Sequence, residues 1–136
     1  MLKITADTNT LISAAIAKGN EFELLKLVRD GKIKLILSPY ILQEFKEVIS
    51  RAKFGFSEEQ INNAVKQMIN ICEIIMPLSK IGIIRDDPQD NMILECAETG
   101  YADYIVSGDE HLLSIKEYKG IKILKSGEIL KLIERN

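Results

Sequence analysis

One histidine, two cysteines and three prolines are all that this chain of 136 residues holds of those types. With His111 as the only imidazole, a Ser-His-Asp triad or a histidine-based zinc site has little to be built from. Cys72 and Cys96 stand 24 residues apart within apolar helical patterns. Metal-binding cysteines are spaced far more closely, so both are expected to be buried thiols. Long apolar runs are missing as well. None approaches the ~20 residues that cross a bilayer, and the N-terminus has neither the charged head nor the long apolar stretch of a secretory signal, which points to a cytoplasmic protein. Repeats, low-complexity tracts and linkers are also absent, and the length suits one domain spanning residues 1–136.

What remains is an ordinary globular composition, 46% hydrophobic and 28% charged, with an uneven distribution of charge. The net charge of −2 hides a middle stretch, residues 57–110, that holds eleven acidic and three basic side chains, between flanks of +3 each. A solvated face accounts for such a stretch unless position says otherwise.

Position follows from the order of the elements. Short β-rich runs, "LKITA" at 2–6, "IKLIL" at 33–37, "YIVS" at 104–107 and "IKIL" at 121–124, alternate with helical patterns at about 9–17, 21–30, 39–53, 57–72, 90–99, 109–116 and 126–134. Strands separated by helices imply right-handed crossovers and a mainly parallel sheet covered on both faces, an α/β three-layer sandwich. In such a sheet the functional crevice lies outside the C-terminal ends of the strands. Asp7 ends the first predicted strand and Asp109 follows the "YIVSG" strand, so both belong at that edge. Asp103 precedes its strand, belongs at the opposite edge, and is expected to cap or turn.

Two further carboxylates are candidates. In "PYILQEFKEVISRAK" an advance of about 100° per residue gathers Ile41, Leu42, Phe45, Val48, Ile49 and Ala52 into one apolar stripe. Glu44 lies about 40° beyond its edge, able to lean into a cleft, while Glu47 falls on the opposite face. In "RDDPQDNMILECAETG" Pro88 is excluded from a helix interior, so a helix is expected to start near Asp90 after a loop carrying Asp86 and Asp87. Met92, Ile93, Leu94, Cys96 and Ala97 mark its buried side, with Asp90 at the margin and Glu95 and Glu98 pointing away. Each aspartate has an ordinary alternative role as a helix N-cap. Together, carboxylates converging in a partly desolvated cleft repel one another unless a cation neutralises them. An oxygen-only donor set suits Mg²⁺ or Mn²⁺ rather than zinc.

These residues resemble the PIN domain family of metal-dependent ribonucleases, which includes toxins of prokaryotic toxin–antitoxin pairs. The resemblance is carried by "ADTNTLISA", "SPYILQEFKEV", "DDPQDNMILECAETGYADYIVSGDEHLL" and "GIKILKSGEIL", and so extends over essentially the whole chain. It implies that Asp7, Glu44, Asp90 and Asp109 are the catalytic and metal-binding residues, with Asn9, Ser107 and Asp87 in support. It also implies hydrolysis of an RNA phosphodiester with one or two Mg²⁺ or Mn²⁺ ions, leaving a 5′-phosphate and a 3′-hydroxyl. RNA would be the substrate, a small antitoxin protein would cover the cleft of a toxin, and PIN domains often form homodimers. Lys18, Lys46, Arg51, Lys53 and Arg85 are candidate phosphate contacts that would offset the acidic cleft. No aromatic-basic platform for stacking bases stands out. Two other classes compete: a non-catalytic PIN-like scaffold that binds RNA or protein, and an aspartate-based phosphatase or phosphoacceptor. The latter does not explain Glu44 together with the "SGDEHLL" turn, and where phosphatases place a second aspartate two residues after the first this chain has Asn9.

Overall fold

β1 (Lys3–Ala6) runs from half-buried Lys3 into fully buried Ile4, Thr5 and Ala6, the continuous burial of a strand covered on both faces. The computed structural model describes residues 1–77 and 88–135. After β1 come α1 (Thr8–Ile16), α2 (Asn20–Arg29), β2 (Lys34–Leu37), α3 (Pro39–Ile49), α4 (Glu58–Ile71), β3 (Cys72–Ile74), α5 (Pro88–Thr99), β4 (Tyr104–Val106), α6 (Glu110–Ile115), β5 (Glu117–Tyr118), β6 (Ile121–Leu124) and α7 (Ser126–Glu134). The sheet order is β3-β2-β1-β4-β6-β5. Every pair is parallel except β5 with β6, so the mainly parallel α/β sandwich expected from the alternation of elements is the architecture found. Right-handed crossovers place α1–α4, which link β1, β2 and β3, on one face, and α5 and α6, which lead back across the sheet, on the other.

This order creates the crevice. From β1 the chain proceeds to β2 and β3 on one side, then returns to lay β4 against the other side of β1. The loops leaving β1 and β4 therefore diverge, which is the switch point where open α/β sheets bind ligands. Ala6 pairs with Val106 at the ends of the two strands, and the Asp7 N–H donates to the Val106 carbonyl at 3.3 Å.

Several expectations need correction. Cys72 does not lie in a helix; it opens the edge strand β3. No glycine or proline separates α4 from β3, so the helical pattern runs into the strand without a visible boundary. β5, two residues long, is too short to show alternation and is held by a turn in which Lys119 and Gly120 have φ of 50° and 83°. The helix expected over 39–53 ends at Ile49, and a short 3-10 turn follows at Ala52–Phe54. α5 begins at Pro88, two residues before Asp90. Proline is favoured as the first helical residue because its missing N–H has no intrahelical partner there. Glu95 does not point away but is buried, 7% exposed, because α5 lies across β1, β2 and β4 and also meets α3. Glu98 accepts from Lys119 Nζ at 2.6 Å and from the Tyr118 hydroxyl at 3.4 Å. At the end of α5, a Cβ on Gly100 would stand 2.7 Å from Ile36 Cγ2, so the close approach of helix and strand depends on that glycine.

Cys96 is buried as expected, whereas Cys72, on the edge strand, is only partly enclosed. Burial, the larger effect at each, pushes both up to about 11 from the ordinary 9.0. At pH 8 only about one thiol in a thousand would then be ionised, and native protein should react with iodoacetamide far more slowly than unfolded protein. Above pH 9 the unfolded chain loses protons that the folded one retains, so the thiols' contribution to stability falls between pH 9 and about 11. Alkylation in native buffer as fast as in denaturant would contradict this burial.

Candidate active site

Asp7 is both the residue after β1 and the N-cap of α1: its Oδ1 accepts from the Thr10 N–H at 3.0 Å. The capping role is therefore real, yet it uses one oxygen. Oδ2 accepts from the Ser107 hydroxyl at 2.5 Å, and the same Ser107 Oγ accepts from the Asp109 N–H at 2.9 Å. Ser107, 1% exposed, thus ties the loop after β4 to the loop after β1. Asp109 repeats the pattern as the N-cap of α6, with Oδ2 accepting from the Leu112 N–H at 3.3 Å.

α3 and α5 supply the other two carboxylates. Ser38 caps α3 by accepting from the Ile41 N–H, and the apolar stripe ending at Val48 and Ile49 is buried. Glu44 is half-buried beside it and Glu47 is exposed. Asp90 sits in the first turn of α5, inside the helix rather than at its N-cap, and is buried, 7% exposed.

The four carboxylates line one cleft of about 230 Å³, together with Thr8, Asn9, Val48, Arg51, Gln89, Ile93, His111 and Leu112. Among the described residues no three acidic, histidine or cysteine side chains close tightly enough to enclose an ion. The carboxylates stand around the cleft instead, an arrangement suited to a hard cation that keeps several waters. Thr8 adds a second feature. It is 5% exposed, and its Oγ1 is buried with no hydrogen-bond partner, a condition folded proteins seldom leave uncompensated. Four carboxylates with an unpaired hydroxyl beside them, and His111 as the one imidazole in the lining, fit a hard divalent cation and its hydration water.

The remaining candidates separate. Asn9 lines the cleft and is exposed. Of the expected phosphate contacts among the described residues, only Arg51 reaches the cleft. Lys18 follows the far end of α1, about 14 Å along the helix from Asp7 at 1.5 Å per residue. Lys46 is exposed and does not line the cleft, and Lys53 stands 5.1 Å from the Phe54 ring centroid. Arg85 and Asp87 lie outside the described residues. Thr8, Gln89 and His111 were not anticipated as cleft residues. Their signal was adjacency, since each is one or two residues from a selected aspartate.

Ser107→Ala is expected to lower stability by about 1–3 kcal/mol, since it leaves a buried carboxylate and an N–H without their shared partner. It should also cost about 10–100-fold in any metal-dependent activity of the cleft, as the loss of an orienting group does. Urea unfolding and metal titration measure the two effects.

Comparison with known proteins places this geometry in context. The family model described as PIN domain matches residues 3–111. The crystal structure of VapBC2 from Rickettsia felis, bound to a DNA fragment from their promoter, is similar with a TM-score of 0.65 at 17% identity, over 90% of this chain and 97% of that one. PAE2754 from Pyrobaculum aerophilum is similar with a TM-score of 0.67 at 14% identity, over 99% of this chain and 98% of that one. At these identities the likeness is one of fold. No curated protein matches the chain.

Proposed function

Because the chain belongs to the PIN domain family, we propose that its acidic cleft is the centre of a divalent-metal-dependent endoribonuclease. The observation that carries this reading is the meeting of Asp7, Glu44, Asp90 and Asp109, from four separate segments, in one cleft. Such a concentration of negative charge is costly without a cation. A bound Mg²⁺ or Mn²⁺ would polarise an RNA phosphodiester and lower the pKa of the attacking water.

In this reading the protein supplies orientation. Asp7 and Asp109 are held by their helix caps and by Ser107, which fixes both side chains where they line the cleft. Asp90 comes from the first turn of α5, where the helix dipole favours a carboxylate. Glu44 positions metal or water from the rim of the α3 stripe, and Asn9 and Arg51 are placed to meet the substrate. Asp87 keeps a supporting role by resemblance alone.

The likeness to VapBC2, solved on promoter DNA, supports reading this chain as the toxin of a toxin–antitoxin pair, with a small antitoxin as its partner. A homodimer and a single-domain, cytoplasmic protein complete the proposal. Among the described residues no helix is long and apolar enough to cross a membrane.

Cleavage of a mixed RNA pool tests the reading on the two glutamates of α3. Glu44→Gln should reduce cleavage by at least about tenfold, whereas Glu47→Gln, on the exposed face of the same helix, should leave it within about threefold of wild type. Equal losses from both would remove Glu44 from the site.

A further inference from the structure

A second, larger groove of about 810 Å³ adjoins the acidic cleft, and Asn9 and Asp109 line both. Its volume lies within the ~300–1,000 Å³ of pockets that enclose small ligands. One wall is the first turn of α1 and the start of α2, presenting Asn9 and Asn20; the other is α7, with Lys125 at its N-cap and Lys131 in its last turn. Neither asparagine side chain hydrogen-bonds to another described residue, so both amides are available to a ligand.

The walls meet at an unusual contact. A Cβ on Gly127 would lie 3.0 Å from Asn20 Nδ2, so the absence of a side chain at 127 lets that amide rest against α7. The groove also holds four carboxylates, Glu21, Asp109, Glu110 and Glu128, of which Glu21 and Glu128 meet groove neighbours. Glu21 accepts from the Ser126 hydroxyl and Glu128 from the Lys125 N–H. Glu110 is exposed. The hydrogen bonds to Glu21 and Glu128 fix those carboxylates' orientation and leave their charge, so among the described residues lining the groove Lys125 and Lys131 are the counter-charges that a phosphate would meet.

An RNA strand cut in the acidic cleft must leave it on either side of the scissile phosphate, and this groove is continuous with the cleft. We propose that the groove seats the nucleotide next to the scissile phosphate, with Lys125 and Lys131 holding the flanking phosphate and the Asn20 amide meeting the base. An asparagine amide presents a donor and an acceptor side by side, which lets it select a base edge. The inference rests on the ribonuclease reading above and adds to it a substrate path and a base-selecting residue.

Two measurements test it. The first sequences the ends produced from a random RNA pool by wild-type, Asn20→Ala and Gly127→Ala proteins. Alanine at 127 displaces the Asn20 amide, the free end of a flexible side chain, without removing it. Both variants should change the base frequencies at one position beside the cut, and in the same direction. The second follows binding of a fluorescein-labelled single-stranded RNA octamer to Asp90→Asn protein across a range of salt, with and without Lys125→Gln and Lys131→Gln. The lysine substitutions should weaken binding and reduce the slope of log affinity against log salt by about 0.7 for each phosphate that is no longer neutralised.

Unchanged base frequencies and an unchanged salt slope would overturn the groove while leaving the ribonuclease reading intact. A changed slope with unchanged frequencies would retain the phosphate contacts and overturn base selection by Asn20. If wild-type protein cuts nothing, the ribonuclease reading fails. The octamer then decides the groove by itself, and a slope unmoved by the lysine substitutions overturns it.

Discussion

Asp7→Asn should leave the protein folded and abolish its RNA cleavage, a loss of about 100-fold or more. Asparagine is as good an N-cap as aspartate, so its side-chain oxygen can still accept from the Thr10 N–H, and its NH₂ can donate to Ser107 Oγ in place of the present bond. What the substitution removes is the negative charge. Even an outer-shell partner costs 10–100-fold when removed, and Asp7 is proposed to contact the metal or its water. Thermal unfolding and pool cleavage, measured on one preparation, distinguish the two roles of this residue. A variant that unfolds would make Asp7 chiefly a structural group, and one that folds and cuts would exclude it from the site.

Phe45→Ala is expected to give the largest loss of stability, about 3–5 kcal/mol. Phe45 is fully buried, at 0% exposure, in the stripe of α3 that packs into the core. Removing the ring leaves a cavity that close-packed neighbours such as Ile41 and Ile49 fill only in part. The consequence extends to the cleft, because Glu44 is the adjacent residue and Arg51 follows the end of the same helix. Urea unfolding measures the stability change. A loss below about 1 kcal/mol would mean that α3 is not anchored where its stripe is buried.

The parts of this fold legible in the sequence are those with punctuation. β1, β2, β4 and β6 are short apolar or β-branched runs bounded by turns or caps, and their positions follow from the alternation with helices. β3 was not legible because Cys72 follows Ile71 with no breaker, and β5 because two residues carry no period. The cleft was legible to the extent that chain geometry determines it. The strand-end rule brings Asp7 and Asp109 to one edge, and the helical stripe places Glu44 at a boundary. Asp90 was selected from a misplaced helix start. It belongs to the cleft wall because α5 begins at Pro88 and turns that position inward. The burial of Glu95 required knowing that α5 touches both the sheet and α3. Thr8, Gln89 and His111 depend on how neighbouring loops lie in space, which no spacing rule conveys, and the same holds for the groove between Asn20 and Gly127.

The central claim is that the four carboxylates around the cleft form a cation-dependent centre for cutting RNA. Its most direct test is cleavage of a mixed RNA pool by purified protein with Mg²⁺ or Mn²⁺, with chelator, and after the metal is restored. The account predicts cleavage with metal, its loss in chelator, its return on adding Mn²⁺, and none from Asp7→Asn protein at any step. Cleavage that persists in chelator, or that survives in Asp7→Asn, would contradict it.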